Sequence, residues 1–392
     1  MQWSQLKNNK DILGYEKTMQ QKNNKIIQII EKLLSKNCVF AIYRPINESE
    51  PKIILQRTNH LETIVDISTL ETLKTKNSYI IAPFKTSSQN PIIAIQADIT
   101  KWSEAEQFVS TDLSQKIIQQ EIEQEKQNQT TTQTEYSNTY NTFHDTITQK
   151  QFTKLVLSRQ EVIKKSKQFS TAKAFIDATE KYPHSYIYLF STPITGIWLG
   201  STPELLLDID NNRGRTVAIA GTQKLIKDEL PLKWTDKDIK EQKYIGDYIK
   251  KQLNKLYIHC EESQTYSIKA AKLAHIKTDY SFQLSPNSSI SDIIKILHPT
   301  PAVCGIPKEE SQRHILQNEQ HNRAYYSGFI GLWKTNTCSL YVNLRCMKIT
   351  SSSHILYAGS GIIEESTMQG EWQETQNKME TMKQLIQGTY KN

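Results

Sequence analysis

The stretch K-L-V-L-S-R, from Lys154 to Arg159, sets a charged residue at each end of a short apolar run. A run of that length reads as a strand, and this one delivers a lysine to one end of a sheet. Similar segments follow it. L-G-S-T-P-E-L-L-L puts Glu204 directly after a proline and before an apolar strand, where a carboxyl can be held against a low-dielectric wall. I-A-G-T-Q-K around Gly221 and Thr222 reads as a tight turn, and K-D-I-K-E-Q brings Glu241 into the first turn of a helix through Tyr244, Ile245, Tyr248 and Ile249. H-P-T-P-A-V-C-G, from His298, packs two prolines and a glycine into a rigid loop. The alternating strand S-L-Y-V-N-L-R ends on Arg345. Singly, each segment also has a purely structural reading.

The C-terminal stretch Gly370-Glu371-Trp372-Gln373-Glu374-Thr375, followed by Lys378, predicts a helix with two carboxylates and an amine on one face. Ser366 and Thr367 are candidate N-caps and Gly388 a candidate stop. Glu371 and Glu374 then lie near the positive end of the helix dipole. Two such oxygen donors suit a hard cation such as Mg2+. A solvated face with an i,i+4 Glu-Lys pair is the alternative.

The 392 residues carry a net charge of +7 with acids and bases interspersed, and no long basic run marks a nucleic-acid site. Cys38, Cys260, Cys304, Cys338 and Cys346 show no C-x-x-C spacing, which fits reduced thiols in a cytoplasmic protein. No leader is expected, and no apolar run approaches the about 20 residues of a membrane helix.

The first 145 residues read as a polar helix through Ile26 to Leu34 and strands at Val39–Tyr43, Lys52–Leu55, Tyr79–Ala82 and Ile92–Ile95. From Gln119 to Thr142 the chain is rich in Gln, Thr, Asn and Glu, which predicts an exposed helix end and a polar linker into the remainder, 146–392.

Taken in order, KLVLSR, GSTPELLL, IAGTQK, KDIKEQ, HPTPAVCG, NRAYYSGFIGLW, YVNLRCMKI, YAGSGIIEES and EWQETQNK resemble the chorismate-utilising enzymes over about residues 146 to 388. That family includes isochorismate, salicylate, anthranilate and aminodeoxychorismate synthases. The resemblance implies a large two-layered α+β fold, like anthranilate synthase component I, built on antiparallel sheets with helices outside. Residues 1–145 would form its variable framework part and 146–392 its chorismate-binding catalytic core.

The resemblance also implies roles. Lys154 matches the general base of the members that add water, where anthranilate synthases have glutamine. Ala220 stands where aminodeoxychorismate synthases carry a nucleophilic lysine. The expected activity is therefore isochorismate synthase, a Mg2+-dependent interconversion of chorismate and isochorismate. Salicylate synthase and a non-catalytic chorismate-binding relative are the alternatives. Glu204 would be the general acid, and Glu241 and Glu374 the direct metal ligands, with Glu371 completing the shell or holding its waters. Arg345 would grip the pyruvyl carboxylate, helped by the backbone at Gly359 and Gly361. Gly221, Thr222 and Lys378 would line or support the substrate. His298 would line the ring pocket, or else fix the His-Pro-Thr-Pro turn. Ala324, Asn343 and Gln242 depart from the family pattern without removing a group the chemistry needs. A monomer with no glutaminase subunit is expected, feeding siderophore or, preferentially, menaquinone synthesis.

Overall fold

The computed structural model describes residues 9–73, 77–111, 129–225, 229–230, 233–285 and 288–388. The N-terminal strands are β1 (Val39–Arg44), β2 (Lys52–Gln56), β3 (Glu62–Ile64), β4 (Ser78–Ala82) and β5 (Ile92–Gln96). Five follow in the middle: β6 (Lys154–Lys164), β7 (Tyr186–Thr192), β8 (Gly196–Thr202), β9 (Leu205–Asp210) and β10 (Arg213–Lys224). After them come β11 (Cys260–Glu262), β12 (Tyr266–Ala270), β13 (Leu273–Gln283) and β14 (Gly305–Ile306). The last are β15 (Phe329–Lys334), β16 (Thr337–Val342), β17 (Cys346–Ile349) and β18 (Ser353–Ile362). The helices are α1 (Asn9–Ser35), α2 (Trp102–Ser110), α3 (Gln133–Thr148), α4 (Thr171–Lys181), α5 (Asp236–Lys255), α6 (Ile290–Leu297), α7 (Lys308–Asn318) and α8 (Met368–Gly388).

Two antiparallel sheets form the frame. The first has the order β14-β6-β18-β17-β8-β7-β1-β2; the second runs β11-β13-β10-β9-β16-β15-β4-β5-β3, with β12 also paired to β13. Alternation along the strands sends one set of side chains between the sheets. Val39, Ala41 and Tyr43 of β1 and Tyr186, Tyr188 and Phe190 of β7 meet Tyr79 and Ile81 of β4 there. The opposite set, including Phe40 and Ile42, packs under α1, α4 and α8. On the outer face of the second sheet, α5 and α6 bury Ile245, Ile249, Ile293 and Ile294. This is the expected two-layered α+β architecture with helices outside. Among the described residues no helix is long and apolar enough to cross a membrane.

Strands from both parts of the sequence share each sheet, since β1 pairs with β7 and β4 pairs with β15. The expected polar linker needs correcting. Its stretch from 119 to 128 lies outside the described residues, but Gln133 onward is helix α3, opened by a capping box between Thr132 and Glu135. Tyr136, Tyr140, Phe143 and Ile147 are buried at helical spacing against Leu155 and Leu157 of β6. The Thr, Gln and Asn between them mask that apolar stripe when only composition is read.

Candidate active site

Strand β6 starts at Lys154, which is fully buried, its Nζ 2.7 Å from Glu241 Oε1. Glu241 comes from α5, whose first residue is Asp236 and whose N-cap is Thr235, so it sits in the second turn rather than the expected first. The pair crosses directly over Gly361 of β18. A Cβ at Gly361 would stand 2.2 Å from Glu241 Oε1 and 2.8 Å from Lys154 Cε, so a side chain there would collide with both. Burial pushes the Glu241 carboxyl up, but Lys154 and then Lys237 outweigh it and hold the group below the usual carboxylate range.

Glu204 lies between β8 and β9, buried, with the Thr300 hydroxyl 3.5 Å from its Oε1. Burial drives its carboxyl up to about 7 against the pull of Lys154 and Lys378. This is the environment foreseen for a carboxyl ahead of Leu205 to Leu207.

Helix α8 begins at Met368, and the Thr367 hydroxyl accepts a hydrogen bond from Gly370 N, so Thr367 is the cap. The helix carries Glu371 at 1 % exposure and Glu374, whose Oε1 is 2.7 Å from Lys378 Nζ. Lys378 also donates to Gly359 O at 2.9 Å. Glu371 Oε1 lies 2.5 Å from Lys237 Nζ, while its Oε2 is buried without a hydrogen-bond partner. The partners of this pair pull in opposite directions. Burial and the neighbouring Glu374 carry Glu371 up to about 7, whereas Lys237 is raised by Glu371 against its own burial. The ion-pair distance decides for a charged lysine facing an ionised carboxylate.

Arg345 follows β16 on left-handed backbone at φ 46, and its Nη1 donates to Ala270 O at 3.2 Å. Its Nη2 meets His275 Nε2, and His275 Nδ1 lies 2.6 Å from Gly221 O. A carbonyl only accepts, so the His275 proton is on Nδ1 and Nε2 accepts from Arg345. Burial, then Arg345, keeps that imidazole neutral. Burial pushes the Arg345 guanidinium down to about 10, with Glu204 and Glu374 opposing.

A cavity of about 60 Å3 collects Glu204, Gly221, Thr222, Glu241, His275, Arg345, Gly359, Gly361, Glu374 and Lys378. Lys154 sits just behind its partner Glu241. His298 is not at this surface: its Nε2 is 3.2 Å from Pro83 O, its ring stands edge-on to Phe329, and burial takes it down to about 3. It serves the loop, and the histidine at the cavity is His275. Among the described residues, no three His, Cys, Asp or Glu side chains converge as a formed metal site. Glu241, Glu371 and Glu374 instead each hold a lysine.

Over residues 5–387 the sequence matches the family described as chorismate binding enzyme. The chain belongs to that family. As a chorismate binding enzyme it is 28% identical over 243 residues to isochorismate synthase EntC of Escherichia coli strain K12, covering 59% of this chain and 62% of the relative. The alignment thus spans less than two thirds of that relative's length. Its fold matches the structure of MenF, the menaquinone-specific isochorismate synthase from Escherichia coli. The TM-score is 0.72 at 20% identity, covering 89% of this chain and 88% of that one. It also matches anthranilate synthase component I from Streptococcus pneumoniae TIGR4, with a TM-score of 0.64 at 17% identity over 88% and 90% of the chains.

Two residues of this chorismate binding enzyme's cavity region escaped the sequence reading. His275 is an inward residue of an alternating strand, with no neighbouring motif to mark it. Lys237 had a signal, since it stands one helical turn before Glu241, but its partner Glu371 lies across the fold.

Proposed function

We propose that this chain is an isochorismate synthase that interconverts chorismate and isochorismate. One observation carries the reading: a buried carboxyl titrating at about 7, Glu204, lies within the field of a buried lysine, Lys154, in a cavity that also holds Arg345. Near neutral pH such a carboxyl is protonated part of the time, so Glu204 can give its proton to the departing C4 hydroxyl, which leaves as water. Lys154 Nζ, which must first give up the proton it holds in the Glu241 pair, takes the proton of the water that attacks C2, and the two conjugated ring double bonds each move one place, from C1=C2 and C5=C6 to C1=C6 and C4=C5. One water enters and one leaves. In reverse, Glu204 is the base and Lys154 the acid. Arg345 offers a planar fork to the pyruvyl carboxylate, and the bare backbone of Gly359 and Gly361 lies along the same cavity.

The donor set suits Mg2+. Glu371 has an orphaned buried oxygen, and Glu374 raises its carboxyl, a repulsion that a divalent cation relieves. Glu241, Glu371 and Glu374 would hold the ion, which would neutralise carboxylate charge on the bound substrate. A ring with two carboxylate arms needs several times the present cavity, as ligand sites commonly run to roughly 300 Å3 or more. The three lysine-glutamate pairs therefore have to part as substrate and ion enter.

The test is incubation of the purified chain with chorismate and Mg2+, without ammonia, and chromatography of the products. Isochorismate in equilibrium with chorismate, lost on adding EDTA, is expected. Salicylate with equimolar pyruvate would make the chain a salicylate synthase, and no turnover would leave a binding protein.

A further inference from the structure

Helix α5 places a lysine where its own dipole disfavours one. Lys237 lies in the first turn, at the positive end of the helix. That turn is held by a capping box, in which Asp238 Oδ2 accepts from the Thr235 hydroxyl at 2.7 Å. The compensation comes from α8. Lys237 Nζ donates to Glu371 Oε1 at 2.5 Å, its one hydrogen-bond partner among the described residues, and Glu371 is all but completely buried. Burial works against the Lys237 charge, but Glu371, Glu374 and Glu241 together outweigh it. One ammonium thus answers all three acids that suit Mg2+.

The other two lysines of these pairs are held more firmly. Lys154 is fully buried, and Lys378 is also tied to Gly359 O at 2.9 Å. The Lys237 side chain is 26% exposed, so its flexible stem can turn the ammonium into water while the capped helix stays in place.

We propose, resting on the Mg2+ site described above, that Lys237 is a built-in competitor for the metal, occupying Glu371 when no ion is bound and displaced into solvent when Mg2+ loads. Without the ion, the ammonium keeps a buried carboxylate compensated. With the ion present, the same ammonium is a like charge that has to leave. Lys237 therefore protects the metal-free fold and raises the Mg2+ concentration at which the site fills.

The experiment is calorimetric titration of the metal-free full chain with MgCl2 alone, alongside thermal melts with and without the ion. Neither readout depends on turnover, and the melts show that each variant is folded. Lys237→Met should bind Mg2+ about tenfold more tightly than wild type, melt lower without the ion, and close that gap at saturating Mg2+. Lys237→Gln, which keeps an N–H towards Glu371, should shift the same way by less. Lys240→Met removes an equal charge from the same helix, but from a surface pair with Glu365, and should leave the affinity within about twofold. In a Glu371→Gln background, Lys237→Met should gain nothing. If Glu371→Gln weakens binding but Lys237→Met does not strengthen it, the competitor is overturned and the site stands. A gain as large from Lys240→Met would also overturn it, because net charge alone would then account for the effect. If Glu371→Gln leaves the affinity unchanged, or no binding is seen up to about 10 mM, the site falls and the competitor with it.

Discussion

Lys154 and Glu241 form a buried ion pair that rests on the bare backbone of Gly361. The lysine opens β6, the glutamate comes from the second turn of α5, and the glycine lies on β18. Helix α5 thus meets the paired strands β6 and β18 at this point.

Gly361→Ala should separate this pair without unfolding the protein, because the atoms its Cβ meets are the mobile ends of two side chains. Displacing a base by about 1 Å costs on the order of 100-fold. We expect kcat/KM for chorismate to fall by about that factor with the melting temperature lowered only slightly; wild-type kinetics would show that the pair's position is immaterial.

Lys154→Ala should abolish turnover at every pH and lower stability by about 3 kcal/mol at neutral pH, because Glu241 is left as an uncompensated buried charge. Lys154 is what pulls the Glu241 carboxyl below its ordinary range. A depressed carboxyl contributes stability above its unfolded pKa and loses it as pH falls through the folded one. Denaturant melts of variant and wild type should therefore converge in acid. A gap that stays constant with pH would refute the ion-pair account.

Glu204→Gln should abolish turnover yet stabilise the fold at pH 8. The wild-type carboxyl ionises at about 7 when folded against an ordinary 4.5, so between those values the unfolded chain gives up its proton first and stability falls as pH rises. The accumulated cost is about 3 kcal/mol. Melting temperatures of the two proteins should coincide near pH 4 and diverge in favour of the variant above pH 7. Wild-type kcat for isochorismate formation should decline on the alkaline side of about 7.

Mg2+ should raise the melting temperature of the chain in the absence of any substrate, by about 2.7 kcal/mol of stability at 100 times its Kd. Glu371→Gln and Glu374→Gln should each weaken calorimetric Mg2+ binding by about tenfold or more, since each removes one charged oxygen donor. If neither variant alters the affinity, the ion is held elsewhere.

The two histidines should behave differently. His275→Ala removes the acceptor that orients Arg345, so KM for chorismate should rise about tenfold with a smaller change in kcat. His298→Ala should leave both constants near wild type while lowering stability by about 2 kcal/mol, through the emptied space beside Phe329. The reverse pattern would return His298 to the site.

Most of the cavity was readable because its residues sit where local patterns change. Lys154 starts an apolar run, Glu204 follows a proline, and Gly359 and Gly361 flank Ser360 in a short strand motif. Such boundaries carry information in adjacent letters. His275 is brought in only by the pairing of β13 with β10, where Ala220 faces Ile276, and that register is not encoded locally. Helix α3 was hidden by composition, although its aromatic spacing was present all along. His298 kept two readings, ring pocket or turn, because a proline-rich loop states rigidity but not the direction in which a side chain points. The sandwich itself was legible only through resemblance: short strand-like runs announce sheets, and say little of which strand lies beside which.

The position of α8 bears on how the protein is made. The helix packs on β18 and α4 and supplies Glu371 and Glu374, and it is the last helix of the described chain. Synthesis on the ribosome therefore reaches Lys154 and Glu204 well before these two acids exist. During that interval Lys237 faces no carboxylate from α8, and the first sheet lacks its cover on that side. A nascent chain can lay down both sheets while the cavity between them still lacks Glu374 and Lys378, which arrive together with Glu371 when α8 docks.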